Sequence, residues 1–190
     1  MPLKLKHSDE KFFRELLNLY FLKLKRFADS YLKNEELAEE VVMDVFLKLW
    51  ERRSKINSIQ NLKAYLYISV RNTCHNYLRK ERKIKFDTLD NVQVRLSRYE
   101  NTPEGDLISE EMLNKLNCII ESLPSKCKMI FKLLREDGLS RKDTAKVLGL
   151  SVKTIDNQVA LAVRKIADAL GVDLTIKKNF NSLKSYLLCL

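Results

Sequence analysis

Apolar residues recur at spacings of three and four along most of this chain, the period of helices that bury one face. Phe12, Leu16, Leu17, Tyr20, Leu24 and Phe27 mark such a face on a helix over 8–31. Asn34 is placed to cap a second helix running to about residue 55, with Leu37, Val41, Val42, Val45, Phe46 and Leu49 as its stripe. A polar connection, SKINSIQN, occupies 54–61. A third helix is predicted over 62–85, with Leu62, Tyr65, Leu66, Ser69, Cys74, Tyr77 and Leu78 inward. Residues 86–107 lose the period and hold Pro103 and Gly105, which reads as a flexible interdomain linker. The period resumes over 108–123, with Met112, Leu113, Leu116, Ile119, Ile120 and Leu123 inward. Pro124 ends that helix, Ser125 is placed to cap the next, and Gly138 to terminate it. The pattern predicts an all-α protein of two small helical domains, 8–85 and 108–171.

Residues 140–170, SRKDTAKVLGLSVKTIDNQVALAVRKIADAL, carry a more specific signal. Ser140 can cap a short helix whose apolar face holds Ala145 and Leu148, and Gly149 can supply the left-handed turn that ends it. Ser151 can cap a second helix that buries Ile155, Val159, Ala162, Val163, Ile166 and Leu170. Lys153, Thr154, Asp156, Asn157 and Gln158 are left at its outer, N-terminal end. Two caps around one glycine predict a helix-turn-helix, whose second helix meets base edges in the DNA major groove. An ordinary helical hairpin would not need that combination.

Composition agrees and narrows the class. The chain has 190 residues, a net charge of +10 and 32% charged residues, with only 4 Gly and 3 Pro. A polyanionic partner is plausible for such a charge. No stretch of about 18 consecutive apolar residues occurs, so no transmembrane helix is expected. The N-terminus, MPLKLKHSDEKFF, lacks the apolar core of a signal peptide. Cys74, Cys118, Cys127 and Cys189 form no CxxC pair and are expected to be reduced, mostly structural thiols of a cytoplasmic protein. His7 and His75 are the only histidines, which gives no support to a zinc site or a Ser-His-Asp triad. P-loop and GxGxxG motifs are absent, so no cofactor, metal or small-molecule substrate is expected.

Charge is also sorted along the first domain. Glu35, Glu36, Glu39, Glu40, Asp44 and Glu51 face the single Lys48, whereas Arg71, Arg79, Lys80, Arg82, Lys83 and Lys85 face the single Glu81. DNA binding alone gains nothing from an acidic helix beside a basic one, so two faces suggest two partners. Tyr65, Tyr67, Asn72, Thr73, Asn76 and Tyr77 lie among the cations; amides and aromatics can hold unpaired bases. Tyr65 and Tyr77 fit the core equally well.

Four segments in series resemble the group IV, or extracytoplasmic-function, sigma factors of bacterial RNA polymerase. ELAEEVVMDVFLKLWE at 36–51 is similar to the family's polymerase-binding segment, and KAYLYISVRNTCHNYLRKERK at 63–83 to its promoter-melting and −10 helix. IIESLPSKCKMIFKLLRED at 119–137 and the helix-turn-helix resemble its last domain, which reads the −35 element. Met43 stands where the family usually shows Gln, and Leu161 where a basic residue is common. The resemblance implies a non-enzymatic initiation factor with residues 8–85 as sigma region 2 and 108–171 as sigma region 4. It implies that Glu40, Asp44, Phe46 and Trp50 contact core RNA polymerase, and that Lys55, Asn57, Asn61, Arg71, Asn72, Asn76, Arg79 and Lys80 hold the −10 element. Lys153, Thr154, Asn157, Gln158 and Ser151 would read the −35 duplex, with Arg141 and Lys142 on phosphates. It also implies an anti-sigma factor, membrane-anchored, as a partner. The alternative is a helix-turn-helix transcriptional regulator whose first domain dimerises or binds an effector; the acidic–basic sorting is the feature such a regulator does not require. An enzyme acting on nucleic acid finds no paired-carboxylate motif. The tail, 172–190, ends in SLKSYLLCL, whose apolar spacing suggests an amphipathic turn or two covered by its own domain or by a partner.

Overall fold

The computed structural model describes residues 7–82 and 110–171, and every element within them is helical. The chain divides into two compact units, Met1–Thr88 and Leu89–Leu190. The expected linker at 86–107 and the apolar tail at 172–190 lie outside the described residues.

The first unit holds α1 (His7–Leu32), α2 (Glu35–Glu51), a short 3-10 helix (Arg53–Ser58) and α3 (Leu62–Arg82). All three α-helices pack on one another. Asn34 caps α2 as the sequence predicts, its side-chain oxygen accepting from the Leu37 amide at 3.0 Å. Phe27 is the hub of the core, with its ring edge-on to Tyr31 and Tyr67. The buried core also holds Val42, Val45, Phe46 and Leu49 of α2 and Leu66, Val70 and Cys74 of α3.

The register differs from the sequence expectation at two places. Phe12 is 44% exposed, and its neighbour Phe13 turns inward onto Phe46 and Trp50. In α3 the buried residues are Ala64, Leu66, Tyr67, Val70, Cys74 and Leu78, while Tyr65 is exposed and Ser69 half-buried. The partner helix decides both: Phe46 and Trp50 take Phe13 in place of Phe12, and Phe27 takes Tyr67 in place of Tyr65. The second helix also ends early, at Glu51, because the chain tightens into the 3-10 turn instead of continuing to residue 55.

The second unit holds α4 (Glu110–Glu121), α5 (Ser125–Arg135), α6 (Arg141–Leu148) and α7 (Val152–Leu170). The last of these packs against all three others and forms the spine. Leu116, Ile120 and Leu123 are buried as expected, whereas the Met112 and Leu113 side chains lie outside those described. Ser125 does not cap α5: the cap position is Pro124, which makes no side-chain hydrogen bond, and Ser125 is the first helical residue. A proline fits there because its fixed φ suits entry into a helix. Gly138, at φ +61, ends the segment after α5.

One core feature was invisible in the sequence. Lys132 on α5 is only 1% exposed, with its ammonium 3.2 Å from Glu136 and 4.0 Å from Asp137. A buried ammonium is tolerable only beside carboxylates, and removing one member of such a group costs about 3–5 kcal/mol. Lys132→Met, which keeps the apolar stem and deletes the shared cation, should therefore lower the stability of this unit by about 3 kcal/mol in thermal unfolding. Lys48→Met, which breaks the exposed Lys48–Asp44 pair of α2, should change the stability of the first unit by less than about 1 kcal/mol.

Candidate partner and nucleic-acid interfaces

Burial of one face of α2 decides what its other face offers. With Val41, Val42, Val45, Phe46 and Leu49 inward, the outward residues are Glu36, Glu39, Glu40, Met43, Asp44, Leu47, Lys48 and Glu51. Met43 and Leu47 are 42% and 55% exposed and stand one helical turn apart. They form an apolar pair bordered by Glu40, Asp44 and Glu51. Glu39 is engaged by Lys25 of α1 at 2.7 Å, and Asp44 lies 3.9 Å from Lys48.

Two of the expected polymerase contacts are not fully exposed on this face. Phe46 is 1% exposed, its ring edge-on to Phe13, and therefore lies beneath the α2 surface. Motif spacing alone does not say whether an aromatic faces a partner or the core, and the heptad-like run Val42–Phe46–Leu49 sends it inward. Trp50 is half-buried at the end of α2, packed on Phe13 with the Arg53 guanidinium 4.9 Å above its ring. Arg53 also donates to the Trp50 carbonyl at 3.0 Å, which fastens the 3-10 turn to the helix. The sequence signal for this exposed apolar pair was present: Met43 and Leu47 are four apart on an otherwise charged face.

The basic helix presents a polar stripe. Tyr65, Asn72, Asn76 and Arg79 recur at seven, four and three, and all are exposed. Lys80 is exposed beside them. Tyr67 is fully buried against Phe27, and Tyr77 is half-buried. Arg71 is half-buried and donates to the Asn72 side-chain oxygen at 3.2 Å. Lys55 and Asn57 are exposed on the 3-10 turn. Asn61 has a structural duty: its side-chain oxygen accepts from the Ala64 amide at 3.0 Å and so caps α3.

The acidic and basic helices meet along a groove of 220 Å³. Glu40, Asp44 and Lys48 line one side, and Asn76, Tyr77 and Lys80 the other. Glu40 and Asp44 of the acidic set and Lys80 of the basic set thus line one groove, where the sequence suggested two separate faces.

In the second unit the helix-turn-helix forms as the sequence predicts. The Ser140 hydroxyl accepts from the Asp143 amide at 3.0 Å and donates to the Asp143 carboxylate at 2.6 Å. Gly149 adopts φ +67, the left-handed conformation in which a side chain would be strained. The Ser151 hydroxyl accepts from the Thr154 amide at 3.0 Å and pairs with the Thr154 hydroxyl at 2.8 Å. Ser151 and Thr154 therefore build the end of α7 that would enter a groove. Lys153, Asn157 and Lys142 are exposed. Arg141 is not a loose cation: its Nε lies 3.2 Å from Asp156, which joins the start of α6 to α7. Gln158 is half-buried, and its backbone carbonyl accepts the Cys127 thiol at 3.2 Å. Burial pushes that thiol up to about 11 and the Cys74 thiol up to about 12, so both remain protonated packing groups. Among the described residues no cluster of His, Cys, Asp and Glu could hold a metal ion, and no helix is long and apolar enough to cross a membrane.

Comparison with known proteins places both units. Residues 16–84 match the family described as Sigma-70 region 2, and residues 113–173 match Sigma-70, region 4. The chain is similar to the ECF RNA polymerase sigma-E factor of Haemophilus influenzae, at 24% identity over 82% of this chain and 86% of that one. The protein of the same name in Escherichia coli is 25% identical over 82% of this chain and 85% of its own. A similar fold occurs in the sigma factor RpoE from Bartonella quintana, solved in complex with the anti-sigma factor NepR. That likeness has a TM-score of 0.52 at 24% identity and covers 86% of this chain and 99% of the other.

His75 gives the first unit a pH dependence. It sits half-buried on α3, its ring edge-on to Tyr31, and burial together with Arg71 and Arg79 lowers its pKa below the ordinary 6.5. The unfolded chain then binds a proton at a pH where the folded unit does not. This stability is present above about pH 6.5 and is lost as pH falls through the folded pKa. In thermal melts from pH 7.5 down to 5, His75→Gln should flatten the decline seen for the parent chain.

Proposed function

We propose, for a chain that belongs to the extracytoplasmic-function sigma factors and directs core RNA polymerase to promoters, a specific division of labour among its surfaces. The chain engages core RNA polymerase and promoter DNA. Our reading assigns residues 8–85 to polymerase docking and the −10 element, 86–107 to a linker, and 108–171 to the −35 element. The observation that carries it is the outward face of α2, where Met43 and Leu47 are ringed by Glu40, Asp44 and Glu51. An apolar pair that excludes water inside a charged rim is the form of an interface hot spot. The carboxylates suit a basic polymerase surface and steer its approach.

On α3, Asn72 and Asn76 offer amide donors and acceptors to unstacked bases, Tyr65 offers a stacking face, and Arg79 and Lys80 offer charge to phosphates. Lys55 and Asn57 extend that surface from the 3-10 turn. On α7, Lys153 and Asn157 project toward base edges of the −35 duplex, Gln158 borders them, and Lys142 lies where a phosphate would pass. Arg141 can reach a phosphate only by sharing or leaving Asp156. No covalent chemistry is assigned to this chain; bond formation belongs to the polymerase. The place of action is the cytoplasm, where polymerase and promoters are. An anti-sigma factor is the regulator we expect, as in the complex of the Bartonella quintana protein. Such a partner would compete for the α2 face.

Substitutions on α2 test the docking assignment. Leu47→Ala should weaken binding to core polymerase by about 1–2 kcal/mol, and Asp44→Arg should slow association, most clearly at low salt. Both side chains are exposed, so melting temperatures should be unchanged. Equal core binding by Leu47→Ala, Asp44→Arg and the parent chain in pull-down and kinetic assays would remove α2 as the docking helix.

The two DNA surfaces should also be separable. Lys153→Ala and Asn157→Ala should change preference at the −35 element only, and Asn72→Ala at the −10 element only. A lost bidentate base contact costs about 1–3 kcal/mol and relaxes choice at one position. Selection of active promoters from a randomised library by each variant holoenzyme is the measurement. A −10 shift caused by Asn157→Ala would exchange the domain roles.

A further inference from the structure

We propose that Leu161 is a specificity-determining residue, whose isobutyl group packs on the C5 methyl of a thymine in the −35 element. The inference rests on the reading of α7 as the helix that enters the major groove. That helix buries Ile155, Val159, Ala162, Val163, Ile166 and Ala167. Leu161 is instead 38% exposed. It falls on the stripe Thr154, Asn157, Leu161, Arg164, with steps of three, four and three, so one helical face carries all four. This face is turned away from the unit's core.

The neighbours on that face are polar and exposed: the Asn157 amide one turn before and the Arg164 guanidinium one turn after. Lys165 is exposed beside them, and Asp168 is the carboxylate of the following turn. Asp156, the other carboxylate near this surface, is held by Arg141 at 3.2 Å. Cations flanking an amide and a single large apolar group suit a polyanion whose groove offers one methyl group. Leu161 lies ten residues into the helix, roughly 15 Å along its axis, within the reach of a helix laid in a major groove.

The base identity follows from the chemistry of base edges. In the major groove only thymine presents an apolar group; the other edges present donors and acceptors that need polar partners. Leucine has none to give. Opposite an adenine, guanine or cytosine edge it would displace water without replacing a hydrogen bond, which costs free energy. Opposite thymine it covers a methyl group, and removing one such buried group costs about fourfold in affinity.

The experiment uses the full chain assembled with core RNA polymerase. A −35 sequence is first selected from a randomised promoter library, and each thymine on both strands is then replaced by deoxyuridine, which removes only the methyl group. Binding of the parent holoenzyme should fall about fourfold at one thymine and be unchanged at the rest. Leu161→Ala holoenzyme should bind the thymine template as weakly as the parent binds the deoxyuridine one, and should ignore the replacement. Leu161→Arg should shift preference at that position from thymine to guanine, whose edge accepts two hydrogen bonds. The proposal is overturned if no thymine shows a methyl effect that disappears in Leu161→Ala. It is overturned also if Leu161→Ala weakens binding to core polymerase before any DNA is added, which would mark Leu161 as a protein contact. Lys153→Ala and Asn157→Ala in the same selection keep the two readings apart. If they alter −35 choice while the methyl effect is absent, only the assignment of Leu161 fails; if they do not, the reading of α7 fails with it.

Discussion

The burial of Val42, Val45, Phe46 and Leu49 against α1 and α3 fixes everything that α2 can present to a partner. A helix of this length has one face to bury, and the core has already claimed it. The remaining face must then carry both recognition and solubility. Met43 and Leu47 stand out there because neither has a structural duty, and exposing them costs about 1.5–3 kcal/mol each relative to burial. An interface recovers that energy. Phe13 and Trp50 matter to the same surface from below: they lock the end of α2 to α1 and, through Arg53, to the 3-10 turn. The proposed docking face on α2 and the proposed −10 surface on α3 thereby belong to one unit and meet along the groove lined by Glu40 and Lys80. Polymerase docking and strand capture can therefore be coupled through a shared edge.

The second unit obeys the same constraint with fewer residues. A short first helix and a tight turn leave little apolar surface, so local chemistry must specify the geometry. Ser140 and Ser151 each satisfy a backbone amide at a helix start, and Gly149 takes the one backbone conformation that the turn demands. Arg141 and Asp156 bind the two helices together from outside, and the Cys127 thiol holds the carbonyl of Gln158 from inside. Asn157, Leu161 and Arg164 on the outer stripe of α7 take no part in these contacts, which suits them to a ligand.

Much of this was legible from residue spacing. The caps at Asn34, Ser140 and Ser151 and the turn at Gly149 depend on interactions within four residues, and the structure forms each of them. What the sequence left open depends on which helix lies opposite. Phe12 and Phe13 are equivalent by composition, and α2 selects Phe13. Tyr65 and Tyr67 are separated by Phe27, which takes only the second. Phe46 is held in the core although its spacing fits a surface contact equally well, and the Asn61 oxygen caps α3 from a side chain that stays exposed. Lys132 carried no signal of burial, because its partners Glu136 and Asp137 look like an ordinary charged helix end. The order of the two domains and the family they resemble were readable from motifs. The residues that form their working faces needed the register.

Neither reading surface is large. One helix-turn-helix buries little DNA, and specific readers with this motif usually act as pairs. In the proposed division of labour the pairing partner for α7 is the α3 surface of the same chain, and the polymerase would supply the register between them, raising their joint affinity without new contacts. The most direct test is run-off transcription by the chain with core polymerase on a selected promoter whose two elements are moved apart by half a helical turn, about 5 base pairs. Initiation from one start site is expected on the parent template, and its collapse on the extended one, with each element intact. Equal transcription from both templates, or promoter-specific binding by the chain alone at physiological salt, would contradict it.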